Sequence, residues 1–271
     1  MQEWDLTQEE IAKKMKDDVL SFSRINSFQC PYEWKLKYVD GIEGESGFFA
    51  EVGSAMHETL EAYLKEEVDI FTIIDYFEDK WQEHVVHDAP PNKYVDITAQ
   101  YYQQCMDYLN QLLFDFDKYE ILGVEREVFF NVGEYKFHGF IDLLLKDKET
   151  NEIIISDHKS FLPKFKANGE ISKTQISHFN EFKHQLYMYS IPIIKEYGKV
   201  DKLRWNFFRG QQEYIIPWVK EEYDETIEWA LERIKEISDE ILWLPNNDNQ
   251  FYCNYLCSMR NKACEYKTVR L

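Results

Sequence analysis

What the 271-residue chain lacks narrows its class quickly. No apolar run approaches the ~20 residues needed to cross a bilayer, so no membrane-spanning helix and no membrane partner are expected. No Gly-x-x-x-x-Gly-Lys-[Ser/Thr] phosphate loop occurs, which leaves no room for a helicase motor. Internal repeats, low-complexity tracts and clear linkers are missing as well, so one composite domain over 1–271 is expected. The opening segment Met-Gln-Glu-Trp-Asp-Leu-Thr is acidic and has no apolar core, which predicts no secretory signal and a cytoplasmic location. The five cysteines are an odd number, and without a signal they argue against a disulfide framework. Basic residues are scarce: 31 Lys+Arg stand against 50 Asp+Glu, a net charge of -19. Taken alone, that balance argues against a nucleic-acid partner, because binding DNA requires neutralising phosphates.

Apolar and aromatic residues are plentiful, at 44% and 16% of the chain, which excludes disorder as a description of the whole. The charge is also unevenly placed. Residues 158–210 carry ten basic side chains and four acidic ones, a local balance of +6 inside a chain that is otherwise -25. Such a segment reads either as a phosphate-facing surface or as a solvated helix face.

Periodicity organises the rest. Thr7-Gln-Glu-Glu10 has the form of a capping box and predicts a helix toward Leu20. Val52, Met56, Leu60 and Tyr63 predict one buried face of a helix over 51–65, and a further helix is expected near 98–116. The period then changes to two. Strands are predicted at 124–132 and 135–145, joined by a tight turn at Val132-Gly133-Glu134, and at 152–159. A helix at 178–191, strands at 202–208 and 212–219, and an amphipathic helix at 224–243 follow. This order predicts an α/β protein with a central mixed β-sheet flanked by helices.

The third strand reads Ile153-Ile-Ile155-Ser-Asp157-His-Lys159, and alternation places Asp157 and Lys159 on one face. The strand before it presents Gly139-Phe-Ile-Asp142. If the two pair, Asp142 and Asp157 converge on a divalent cation with Lys159 beside them. Hard oxygen ligands suit Mg²⁺ or Mn²⁺. Such a site polarises a phosphodiester and activates a bound water, while the lysine orients that water or stabilises developing charge. A lone Asp-x-Lys is weak by itself, since surface strands often carry such pairs.

An Asp after Gly-x-Ile on one strand and Asp-x-Lys about fifteen residues later resembles the PD-(D/E)xK nuclease superfamily. Three further features resemble its RecB-type branch: Gly53-Ser-Ala-Met-His57 on an upstream helix, Gln185-Leu-Tyr-Met-Tyr189 on the helix after the Asp-x-Lys strand, and Glu127 on the strand before Asp142, with Glu125 as the competing choice. The resemblance implies a restriction-endonuclease-like core at about 50–220. It implies His57, Asp142 and Asp157 as metal ligands, with the backbone carbonyl of His158 as another. Lys159 would position the attacking water, and Gln185, Tyr189 and Glu127 would complete the catalytic set. Singly, each has an ordinary reading: a surface histidine, a satisfied core pair, a solvated glutamate. Gln185 and Tyr189 lie one turn apart on a helix, so both can reach one site.

Cys105 sits in a helical run and reads as a buried apolar residue. Cys30 lies near the N-terminus, and Cys253, Cys257 and Cys264 form Cys-x3-Cys-x6-Cys. This one-plus-three layout resembles cluster-bearing RecB-type nucleases, namely the AddB nuclease domain and the CRISPR-associated adaptation nucleases. It implies a [4Fe–4S] cluster stapling a helical module of about 20–40 and 245–271, with structural zinc as the lesser alternative. Those relatives usually show Cys-x2-Cys-x5-Cys; here each gap is one residue longer.

The resulting expectation is a metal-dependent deoxyribonuclease acting on single-stranded DNA ends in repair, recombination, or phage or CRISPR DNA processing, with a helicase or integrase as an associated subunit. Lys164, Lys166, Arg204 and Arg209 are the candidates to track the DNA backbone. The alternatives are a non-catalytic iron–sulfur subunit that binds DNA ends or serves assembly, and a zinc scaffold whose Asp-x-Lys is coincidental.

Overall fold

The capping box at Thr7 forms: its hydroxyl accepts the Glu10 N–H at 3.3 Å while the Glu10 carboxylate accepts the Thr7 N–H at 2.8 Å. It opens the first element of a computed structural model that describes residues 6–112 and 114–266. In chain order the elements are α1 (Gln8–Asp17), β1 (Val19–Leu20), α2 (Phe22–Asn26), α3 (Pro31–Tyr38), α4 (Phe48–Leu64), α5 (Ile73–His84), α6 (Ile97–Asn110), β2 (Tyr119–Val132), β3 (Tyr135–Asp147), β4 (Ile153–Lys159), α7 (Ile176–Tyr197), β5 (Lys202–Phe207), β6 (Gln212–Pro217) and α8 (Lys220–Asp239). Among the described residues no helix is long and apolar enough to cross a membrane.

The chain divides into two compact units. The larger comprises Phe48–Val128 and Phe140–Tyr223. In it β3 pairs antiparallel with β4, β4 parallel with β5, and β5 antiparallel with β6, so the sheet is mixed. A parallel pair needs a crossover, and α7 supplies it between β4 and β5. Alternation gives each sheet face its own cover. Leu143, Leu145 and Ile154 pack against Leu64 of α4, while Trp205 and Tyr214 meet Phe179 of α7 at ring distances of 4.8 and 5.3 Å. The expected mixed sheet flanked by helices is therefore present. Two differences stand out. Helix α5 was not anticipated, because its acidic sequence masks a narrow apolar stripe; Ile73 and Phe77 are its fully buried residues. Strand β2 begins at Tyr119 rather than 124, and α6 ends at Asn110 rather than 116; position 113 within that expected helix lies outside the described residues.

The smaller unit comprises the described parts of Met1–Gly47, Phe129–Gly139 and Asp224–Leu271. Gly133, at φ +58, makes the tight turn joining β2 to β3, a conformation that favours glycine. Strand β1 runs parallel to the start of β3, with Leu20 opposite Phe137. An aromatic cluster centres on Trp34 of α3, which stacks on Trp243 (5.7 Å, 8°) and meets Phe28 edge-on at 5.9 Å. Its indole N–H donates to the Arg24 carbonyl at 2.8 Å. Substituting Trp34→Ala should lower unfolding stability by about 3–5 kcal/mol, the cost of emptying a large aromatic site. Denaturant unfolding measures this, and a midpoint unchanged from wild type would contradict the central place given to that ring.

Candidate active site

Antiparallel pairing of β3 with β4 sets the geometry. One step beyond the Leu143↔Ser156 pair stand Asp142 and Asp157, one on each strand. Both are buried, at 9% and 2% exposure. Asp142 Oδ2 accepts the His158 N–H at 2.7 Å, which ties the two strands together at the point where the carboxylates meet. Two residues on, Lys159 lies on the same side as Asp157. Its Nζ donates to Asp157 Oδ1 and to Gln185 Oε1, each at 3.0 Å, and lies 5.2 Å from the centre of the Phe182 ring. Tyr189, one helical turn beyond Gln185 on α7, is hydrogen-bonded to it; burial pushes the phenol up to about 12, so it stays protonated.

Helix α4 brings His57 to the open edge of this set. Its Nε2 lies 2.9 Å from the His158 carbonyl, so that nitrogen carries a proton and donates it. Nδ1 faces Asp142 Oδ2 at 3.5 Å and Glu125 Oε1 at 3.7 Å. Among the described residues, His57, Glu125 and Asp142 are the group whose ligand atoms lie close enough together, within 4.8 Å, to share one metal ion. Asp157 Oδ2 is buried with no hydrogen-bond partner, although the lysine ammonium is 2.9 Å away as an ion pair. The donor set, one imidazole and hard oxygens, fits Mg²⁺ or Mn²⁺.

Electrostatics describe the same demand. Burial alone would push the His57 imidazole down, but the charges of Asp142, Glu125 and Asp157 outweigh it and raise it to about 9. Burial raises the Asp157 carboxyl to about 6, against the pull of Lys159 and with the push of Asp142. The carboxylates are thus neutralised by an imidazolium and an ammonium wherever a metal is lacking. His158 differs: burial, then the charges of His57 and Arg204, hold its ring well below the usual range and neutral.

The other expected residues are placed as follows. Glu127 is exposed on β2 and is not part of the metal group; Glu125 occupies that place. Simple alternation puts both glutamates on one strand face, but Glu125 has φ +48, a left-handed backbone that re-aims its side chain. His158 offers its carbonyl to His57, while its own ring faces away. Lys164 and Lys166 are exposed, the latter paired with Glu170 at 2.7 Å. Arg204 and Arg209 do not present a phosphate-tracking surface. Arg204 is buried, at 8% exposure, and is paired with Glu213. Arg209 donates to Gln104 at 2.9 Å and to the Ser160 carbonyl at 3.0 Å, against the Tyr101 ring.

The four other cysteines lie in the smaller unit. Cys30 and Cys257 are buried, and Cys253 and Cys264 are half-buried. The Cys253 thiol is pushed up by burial first, then by the neighbouring Cys30 and Cys264 thiols and by Glu33, so these sulfurs share one locality. Glu33 ties it together, accepting from the Tyr252 hydroxyl at 2.6 Å and the Ser258 N–H at 2.9 Å.

An opposed aspartate pair and a lysine two residues along, on a mixed sheet, stand together with a glutamine from the crossover helix. The chain belongs to the PD-(D/E)XK nuclease superfamily, whose family model matches residues 19–269. A crystal structure provisionally named an exonuclease, from Eubacterium rectale, is similar at 13% identity over 87% of each chain, with a TM-score of 0.47. No curated protein matches the chain.

Two outcomes test this geometry. Glu125→Gln should weaken Mn²⁺ binding severalfold or more while Glu127→Gln leaves it near wild type; isothermal titration reads both, and the reverse order would contradict the placement. Metal binding must displace the His57 proton below pH 9, and below pH 6 the Asp157 proton too. Protons therefore compete with the cation, and Mn²⁺ affinity should fall by about tenfold per pH unit on acidification, more steeply below 6. Affinity that is flat between pH 8 and 5.5 would contradict this.

Proposed function

We propose that the chain is a Mg²⁺- or Mn²⁺-dependent deoxyribonuclease of the RecB-type branch, acting as an exonuclease on single-stranded DNA ends in the cytoplasm, alongside a helicase or integrase subunit. The observation that carries the reading is the convergence of His57, Glu125, Asp142, Asp157, Lys159 and Gln185 around the β3–β4 pair. His57, Glu125 and Asp142 would hold the cation, with Asp157 beside them paired to Lys159. A bound cation would supply Lewis acidity and lower the pKa of water. Lys159, held by Asp157 and Gln185, keeps its ammonium poised to orient the attacking water and to offset charge on the phosphate. Tyr189 fixes Gln185 and thereby the lysine. Burial strengthens each of these interactions relative to water.

Cys30, Cys253, Cys257 and Cys264 hold a [4Fe–4S] cluster in this reading, and the module they form with the nuclease core makes one composite domain. Residues 267–271 of that expected module lie outside the described residues. The Asn246 N–H pointing at Cys30 Sγ, at 3.4 Å, is the kind of donor that stabilises cluster sulfur.

Digestion of end-labelled single- and double-stranded DNA tests the catalytic reading. Wild type should release mononucleotides from single strands with Mg²⁺ or Mn²⁺ and none with EDTA, and Lys159→Ala should be slower on the order of 10²- to 10⁴-fold. Equal cleavage by both would sink the assignment. Purified protein should be brown, and Cys257→Ala should lose the visible absorption and melt at lower temperature; colourless, zinc-loaded protein would overturn the cluster.

A further inference from the structure

On the other face of β4 from Asp157 and Lys159 lies a second, half-enclosed cavity of about 230 Å³. Alternation along the strand sends the His158 ring into it. Arg204 and Asn206 of β5, Tyr108 of α6, Gln111, Gln211 and the Glu213 carboxylate make up the rest of its polar wall, and Tyr63 and Phe114 line it with aromatic surface.

The polar wall is rich in donors. The Asn206 amide donates to His158 Nδ1 at 2.8 Å, which puts the ring proton on Nε2, and Nε2 is buried without a partner. The same amide donates to the Tyr108 hydroxyl at 2.6 Å, leaving that hydroxyl its own proton to give. Arg204 pairs one nitrogen with Glu213, but its Nε and Nη1 are buried with no partner. Buried guanidinium N–H groups without acceptors are costly, and each of the two calls for an acceptor of its own, for which an anionic oxygen is the strongest partner. None of these donors serves the chemistry at Asp142 and Asp157.

We propose that this cavity binds a nucleoside monophosphate, its phosphate on Arg204, His158 and Tyr108 and its base against Tyr63 and Phe114. Aromatic walls accept any base by stacking. The volume lies just below the ~300–1,000 Å³ of pockets for larger organic ligands, which limits the occupant to one small molecule rather than a length of strand. The choice of a nucleotide among phosphate monoesters rests on the nuclease reading; the anion site does not. Occupancy bears on the metal site through His158, whose N–H is held by Asp142 and whose carbonyl is held by His57.

Isothermal titration of the full chain in EDTA, where no cleavage occurs, tests this with 5′-dAMP, deoxyadenosine and inorganic phosphate as probes. Wild type should bind dAMP, with deoxyadenosine and phosphate each at least about tenfold weaker, and Arg204→Gln should lose roughly tenfold to a hundredfold in affinity, the worth of a charge-assisted hydrogen bond. Glu213→Gln, at a half-exposed position, removes the carboxylate that competes for Arg204 and should bind dAMP severalfold more tightly, an effect a purely structural ion pair does not produce. Absence of dAMP binding, equal binding of phosphate alone, unchanged binding by a folded Arg204→Gln, or unchanged or weaker binding by Glu213→Gln would overturn the proposal. Since the assay contains no divalent cation, its failure leaves the DNA-digestion result untouched, and the converse holds as well.

Discussion

Three carboxylates crowded around one strand pair need positive charge beside them to remain charged together. That constraint organises the larger unit. Glu125, Asp142 and Asp157 draw in the His57 imidazole and the Lys159 ammonium; the neighbouring acids raise the His57 imidazole, and burial raises the Asp157 carboxyl. Pairing of β3 with β4 fixes where the two aspartates meet. Helix α4 supplies the histidine, and α7 supplies the glutamine that steadies the lysine.

His158 is the hinge between the two sides of this strand. Its backbone serves the cation site: the N–H is held by Asp142 and the carbonyl by His57. Its ring serves the other face, among Asn206, Tyr108 and Arg204. A single residue in an alternating strand can do both because backbone and side chain point in different directions.

The acidic composition takes on a different meaning in this setting. A net charge of -19 argued against DNA, yet some of the acids are gathered in a group whose donor atoms fit a divalent cation. The basic residues of 158–210 are also not one surface. Lys159 enters the site, Lys164 and Lys166 are exposed, and Arg204 and Arg209 are internal ties. Summed charge along a segment could not separate these roles, because alternation and helix packing send neighbouring residues to opposite sides.

Much was legible from the chain alone. Period-two runs located β3 and β4, and an Asp on each, ahead of any coordinates, since local alternation is a property of the sequence. The helix carrying His57 followed from apolar spacing in the same way, and a helix was expected at 178–191 around Gln185. Glu125 against Glu127 was not decidable, because a left-handed residue breaks the alternation on which the reading depends. Helix α5 was hidden by its acidic exterior. The burial of Arg204, the donor-rich cavity behind β4 and the shared locality of Cys30 with Cys253 and Cys264 depend on which distant segments meet. Sequence by itself determined the chemistry available and the faces on which it could stand; only tertiary packing decided which of those groups lose their water, and that loss of solvation is what turns a carboxylate or a guanidinium into a binding site.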